Sequence, residues 1–339
     1  MNKPEVSFLG APVETDLTKL DARIAILGVP HGWPYPRAGS TAGCADAPAA
    51  VRRRSQRLSR FRGNWDFDLD RPMDLSLMVD AGDVPGDATD GPGNSRRTTD
   101  AVRAILEGGA VPICIGGDDS VPIPILRAYE GAGRPITILQ IDAHLDFRDE
   151  MDGVRDGYSS PMRRASEMAH VERIIQVGLR GVGSARASDV EDARAAGNLL
   201  VTARELRELG VPWLLEQVAQ DASVFVAFDG DGLDPSVFPA VSALTPGGLA
   251  YAEARDLLAG IGPRLAGAAF TEFVPALDVN DLSALVLSRM ISILSESARS
   301  PTGQVKRDLT WGDLGPRIVA LPPTTHCAHL RAREEKPID

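Results

Sequence analysis

The chain has 339 residues, a hydrophobic share of 43%, a charged share of 24% and a formal net charge of −11. These values fit a globular protein with a large core and exclude an intrinsically disordered chain. The acidic surplus disfavours nucleic acid and anionic membrane as partners and favours small cationic ligands. Cys44, Cys114 and Cys327 have no close pairing and read as reduced thiols. No basic-then-apolar leader opens the chain, and no run approaches the ~18 apolar residues of a membrane span, so a cytosolic location is expected.

Short apolar runs recur along the chain at Ile24 to Val29, Val111 to Ile115, Ile136 to Ile141, Ile174 to Val177, Val224 to Phe228 and Ala266 to Phe270. Each has the length of a strand buried on both faces. Helical patterns alternate with them at Asp100 to Glu107, Pro122 to Glu130, Ala252 to Gly260 and Leu282 to Ser297. The alternation predicts an α/β fold, a three-layer αβα domain around a mostly parallel sheet. Asp80 to Asn94, rich in Gly, Pro and Asp, reads as a surface loop. A single domain is expected, with its core at about 24–297 and a C-terminal tail at 301–339, charged from Arg331 to Asp339.

Acidic clusters follow three of the strands directly. Ile115 leads into Gly116-Gly117-Asp118-Asp119-Ser120, Ile141 into Asp142-Ala143-His144-Leu145-Asp146, and Phe228 into Asp229-Gly230-Asp231-Gly232. In extended backbone the period of two turns Asp142, His144 and Asp146 to one side, and Asp229 and Asp231 likewise. Sites in open parallel sheets form at the carboxyl ends of strands, so the clusters converge if these strands are neighbours. Carboxylates gathered in this way repel one another unless cations neutralise them. Carboxylates with an imidazole suit divalent ions, manganese first, then nickel or zinc. One such loop alone is usually a solvated turn; three at strand ends are hard to assemble by chance.

With these motifs the chain resembles the ureohydrolase superfamily of arginases and agmatinases from about Ile24 to Ser297, the agmatinase branch most closely. The resemblance implies an arginase-like fold and a pair of divalent ions, Mn2+ before Ni2+, held by Asp142, His144, Asp146, Asp229 and Asp231. It also implies hydrolysis of a C–N bond in a guanidino compound, releasing urea and an amine. Asp146 is then the candidate proton donor to the leaving nitrogen, and Glu272, in Phe270-Thr271-Glu272, the carboxylate that faces the guanidinium group.

Two positions depart from the family pattern. Asp119 stands where relatives carry a metal-ligating His, and Tyr158 where they carry a His in substrate contact. Asp119 as an oxygen ligand makes the set more negative and suits manganese. These departures leave an alternative: a weakly active or non-catalytic subunit of the same fold supporting an active paralogue in a hetero-oligomer. The resemblance implies a trimer or hexamer in either case. His31, after the first strand, is a candidate for the pocket mouth, and a loop-packing role is its plainer reading. Arg163 and Arg164 read as solvated helix charges. His326, Cys327 and His329 lack the fourth ligand of a zinc site.

Overall fold

In the computed structural model the described residues are 1–35 and 42–298. The first half of the chain runs β1 (Ile24–Val29), α1 (Ala47–Ser59), β2 (Trp65–Asp66), β3 (Arg71–Pro72), β4 (Met78–Asp83), α2 (Gly91–Glu107), β5 (Val111–Gly116), α3 (Pro122–Arg127), β6 (Ile136–Ile141) and α4 (Pro161–Ser166). It continues through β7 (Val171–Leu179), α5 (Ala187–Ala195), β8 (Leu199–Thr202), α6 (Ala203–Leu209), α7 (Val211–Glu216), β9 (Ser223–Asp229), α8 (Tyr251–Ile261), β10 (Leu265–Thr271) and α9 (Leu282–Ser297). Eight strands form one sheet in the order β4-β1-β5-β10-β9-β6-β7-β8, and every neighbouring pair is parallel. The small β2–β3 ribbon is antiparallel.

Alternate side chains of each strand feed the two cores. Ile24 and Ile26 of β1 pack in one core with Val51 of α1, Leu257 of α8 and Ile291 of α9. Ala25 and Leu27 pack in the other with Ile105 of α2, Leu126 of α3 and Met162 of α4. These are the three layers expected from the sequence. A sheet covered on both faces is why the central strands read as unbroken apolar runs.

The chain lays down β1, β4 and β5 on one side, then crosses to start β6 on the other; β9 and β10 later fill the gap. The reversal in strand order leaves a crevice at the carboxyl ends of β5, β10, β9 and β6, where such sheets bind ligands. The acidic motifs follow β5, β6 and β9, so the topology gathers them.

Two expectations need correction. Residues 80–83 complete β4 and residues 91–94 open α2, so only the seven residues between are the loop expected from Asp80 to Asn94. Asp80 reads as a loop residue because it is a carboxylate, yet it is fully buried. Its charge is matched by Arg52 of α1, 1% exposed, whose Nε and Nη2 meet Asp80 Oδ2 and Oδ1 at 2.8 and 2.9 Å. The same guanidinium pairs with Asp83, and Asp80 also accepts the amide of Phe8 at 2.7 Å. Arg164 is likewise not solvated: it is 4% exposed and pairs with Asp149 and Glu167. The tail beyond residue 298, with His326, Cys327 and His329, lies outside the described residues.

Arg52 thus ties α1, the edge strand and the N-terminal segment together. Arg52→Met leaves Asp80 buried without its counter-ion, which costs about 3–5 kcal/mol. Urea unfolding of the variant is expected to show that loss, and an unchanged midpoint would remove Arg52 from the framework.

Candidate functional site

Each acidic motif is held by the backbone around it. After β9, Asp229 Oδ1 accepts the amide of Asp231 at 2.7 Å, turning the chain so that Asp231 Oδ1 accepts the amide of Ala143 at 3.1 Å. Gly232 allows that approach: a Cβ there would stand 2.8 Å from Asp142 N and the Ile141 carbonyl. After β6, the amide of His144 donates to Asp142 Oδ1, and His144 Nδ1 lies 3.0 Å from Asp231 Oδ2. After β10, Glu272 takes a positive φ of 62°, rarely adopted by L side chains, and Asp146 does so at 48°. The amide of Asp119 donates to Glu272 Oε1 at 2.8 Å, and Thr271 Oγ1 donates to Asp119 Oδ1 at 2.6 Å.

These contacts create two groups whose ligand atoms lie within 4.8 Å of one another: Asp142, His144 and Asp231, and Asp119, Asp142 and Asp229. They share Asp142. Asp119 and Asp229 are each 4% exposed, Asp142 is 1% exposed, and Asp119 Oδ2 is buried without a hydrogen-bond partner. A buried carboxylate oxygen with nothing to accept from is costly unless a cation meets it. The donor set, oxygens with one imidazole, is that of a hard or borderline divalent ion. The residues therefore fit the metal pair that the resemblance implied.

The electrostatics point the same way. Burial, reinforced by neighbouring carboxylates, pushes Asp119, Asp142, Asp146 and Asp229 well above the usual carboxylate range. Burial, then the charge of Asp118, raises Glu272 to about 8. The hydrogen bond to Asp231, against desolvation, raises His144 to about 9. A cluster left to itself holds protons; divalent ions displace them.

The groups open into a cavity of about 290 Å³ lined by Asp119, His144, Asp146, Asp229, Asp231 and Glu272 on the charged side. Met151, Tyr158, Ser159, Ser184, Ser242 and Ala243 line the rest. Tyr158 packs edge-on to Tyr35, with ring centroids 4.5 Å apart. Cys44, a buried free thiol, lies 3.9 Å from Glu272 Oε2, and burial pushes it far above the usual thiol range.

The structure thus brings together Asp119, Asp142, His144, Asp146, Asp229, Asp231, Glu272 and Tyr158. His31 is elsewhere. It lines a small cleft with Trp33, Ser95 and Ser120 and packs over Gly86, apart from the described lining of the acidic cavity. Sequence reasoning missed Gln140 and Gln176, which are 1% and 0% exposed beside the acidic cluster. The signal was present as a glutamine inside each of two strand runs otherwise mostly apolar.

Known proteins resemble this chain along most of its length. It is 32% identical to the guanidinopropionase of Pseudomonas aeruginosa over 304 residues, covering 86% of this chain and 92% of that protein. It is 29% identical to the mitochondrial agmatinase of Gallus gallus over 291 residues, 84% and 83% of the two chains. The same fold is seen in the formimidoylglutamase of Bacillus subtilis, with TM-score 0.76, 23% identity, and 89% and 95% coverage. It is also seen in the formiminoglutamase of Trypanosoma cruzi solved with Mn2+, with TM-score 0.74, 24% identity, and 88% and 100% coverage. The arginase family model matches residues 22–295, and the chain belongs to the arginase family, metal-dependent amidinohydrolases that act on C–N bonds of guanidino compounds.

Proposed function

We propose that the chain is itself catalytic and hydrolyses a small cationic guanidino compound to urea and an amine at the cavity lined by Asp119, Asp229 and Asp231. The observation that carries this reading is the pair of ligand groups sharing Asp142, set beneath a cavity that Glu272 also lines. Asp119, Asp142, His144, Asp146, Asp229 and Asp231 would hold two divalent ions, manganese before nickel. When bound, such a pair supplies the Lewis acidity that activates water near neutral pH.

The side chains of this chain do the rest. Glu272 accepts from the substrate guanidinium through charge-assisted hydrogen bonds; the incoming cation offsets the burial that otherwise keeps this carboxyl protonated. Asp146, which lines the cavity, is placed to relay a proton to the departing nitrogen. Tyr158 forms a wall and contacts the substrate. Among the described lining residues outside the acidic cluster none is charged, which favours a short substrate tail without a charge of its own. The accessory-subunit alternative has no support in a site that keeps its carboxylates assembled. A cytosolic location and a trimer or hexamer, of this chain alone or with a paralogue, belong to the same proposal. Among the described residues no helix is long and apolar enough to cross a membrane.

The direct test is urea release by the chain alone, loaded with manganese, from short N-alkylguanidines and from guanidino acids of equal length. The alkylguanidines are expected to turn over faster. Glu272→Gln is expected to cost about 2–5 kcal/mol, which is roughly 30-fold or more in kcat/KM. No urea from any guanidino compound would contradict the reading, and unchanged turnover in the variant would remove Glu272 from the site.

Metal-free protein should also respond to pH in one direction. Between 4.5, the ordinary value, and about 8, the unfolded chain has released the Glu272 proton that the folded chain keeps, so stability falls as pH rises. The stabilising His144–Asp231 pair is complete below 6.5 and is lost as pH rises to about 9, with the same sign. The thermal midpoint of chelator-treated protein is expected to drop steadily from pH 5 to pH 9, the window set by these groups, and manganese to restore it most at the alkaline end. A midpoint that rises with pH in the absence of metal would contradict this electrostatic picture.

A further inference from the structure

We propose that a buried row of amides, Asn198, Gln176 and Gln140, is a positioning relay that aims Asp142 and Asp146 at the metal ions. The inference rests on the reading of the site as a metal centre. Gln140 of β6 and Gln176 of β7 are directly paired across the parallel ladder, so their side chains leave the same face of the sheet. Gln140 stands two residues before Asp142 and shares its side of the chain. Its Nε2 donates to Asp142 Oδ2 at 2.7 Å and to Asp146 Oδ2 at 2.9 Å. Its Oε1 accepts from Gln176 Nε2 at 2.6 Å, and Gln176 Oε1 accepts from Asn198 Nδ2 at 2.9 Å.

The direction of the row is fixed by its end. Ionised carboxylates, as metal ligands must be, can only accept, so Gln140 must present its NH2 group to them and its carbonyl to Gln176. Gln176 must then turn its NH2 group inward and its carbonyl to Asn198. Reversing any one amide sets like atoms against each other in a dry interior, where such a mismatch is costly. Gln176 has a second task. Its other N–H donates to the carbonyl of Leu145 at 2.7 Å, pinning the backbone just before Asp146, where φ is 48°. The relay thus holds both the carboxylate oxygens and the turn that delivers one of them.

Amides suit this role because they carry no charge. A lysine or arginine in place of Gln140 would neutralise the carboxylates and take over the work of the ions. An apolar side chain would leave Asp142 and Asp146 free to turn away. Groups that orient metal ligands from behind typically set metal affinity by 10- to 100-fold.

The test uses manganese alone as probe, with affinity measured by the free-ion resonance signal and ligand geometry by the visible spectrum of the cobalt-loaded protein. Gln140→Met and Gln176→Met keep the chain length and remove the hydrogen bonds. Each is expected to bind manganese about 10- to 100-fold more weakly and to shift the cobalt spectrum. Variants that fold as the wild type does, yet match it in affinity and spectrum, would overturn the relay. If these variants do not fold, Asn198→Ala decides. It lies at the outer end, 9% exposed, and is expected to weaken manganese several-fold with the fold intact; unchanged affinity there would overturn the relay too. A wild-type protein that takes up no ion would instead refute the metal reading itself, and the relay with it.

Discussion

The structure depends on one electrostatic constraint: a set of carboxylates buried together at the ends of neighbouring parallel strands. Asp119, Asp142, Asp146, Asp229 and Asp231 are all below 9% exposed, and His144 is the one imidazole within the two ligand groups. Burial raises the cost of each negative charge, and proximity raises it again. The folded chain can relieve this with protons or with cations, and only cations leave the carboxylates ionised at neutral pH. Asp119 sharpens the demand, because it adds another buried carboxylate to the cluster. Its unpartnered Oδ2 is the point at which that demand is most local.

Strand order makes the cluster and side-chain amides keep it in place. β5, β10, β9 and β6 are consecutive neighbours in the sheet, so residues distant in sequence meet over a span of four strands. Glu272 joins the group from the end of β10 and accepts from the backbone amide of Asp119 after β5, which couples two carboxylates of the cavity lining. On the other flank Gln140 and Gln176 back the β6 carboxylates with hydrogen bonds and no charge. Far from the crevice the opposite solution is used: Asp80 is buried against Arg52, a counter-ion within the chain, where no ligand is needed. The two buried acidic sites differ in that one has its cation built in and the other does not.

Much of this was legible in the sequence because it follows from simple periodicities. The six central strands are buried on both faces and therefore appear as mostly apolar runs, and the acidic residues stand out at their ends. The edge strands β4 and β8 were not legible. Met78–Asp83 carries two aspartates, and Leu199–Thr202 is short and half-buried, so neither shows the pattern of a central strand. Helix α1 was hidden by its arginines, one of which is a core residue only because Asp80 meets it. Gln140 and Gln176 escaped notice for the converse reason: one polar residue in an apolar run looks tolerable until the register shows the two side by side. His31 sits in an inviting place after the first strand, yet the path of its loop takes it to another cleft. Nothing in local sequence encodes that path.

On the proposed reading the acidic cluster is a two-ion site to which Asp119 contributes. Elemental analysis of the purified chain after dialysis against manganese, beside Asp119→Ala treated alike, tests it most directly. The account expects about two ions per chain in the wild type and about one in the variant, since the remaining group of Asp142, His144 and Asp231 is left intact. Only traces of metal in the wild type, or equal loading in the two proteins, would contradict it.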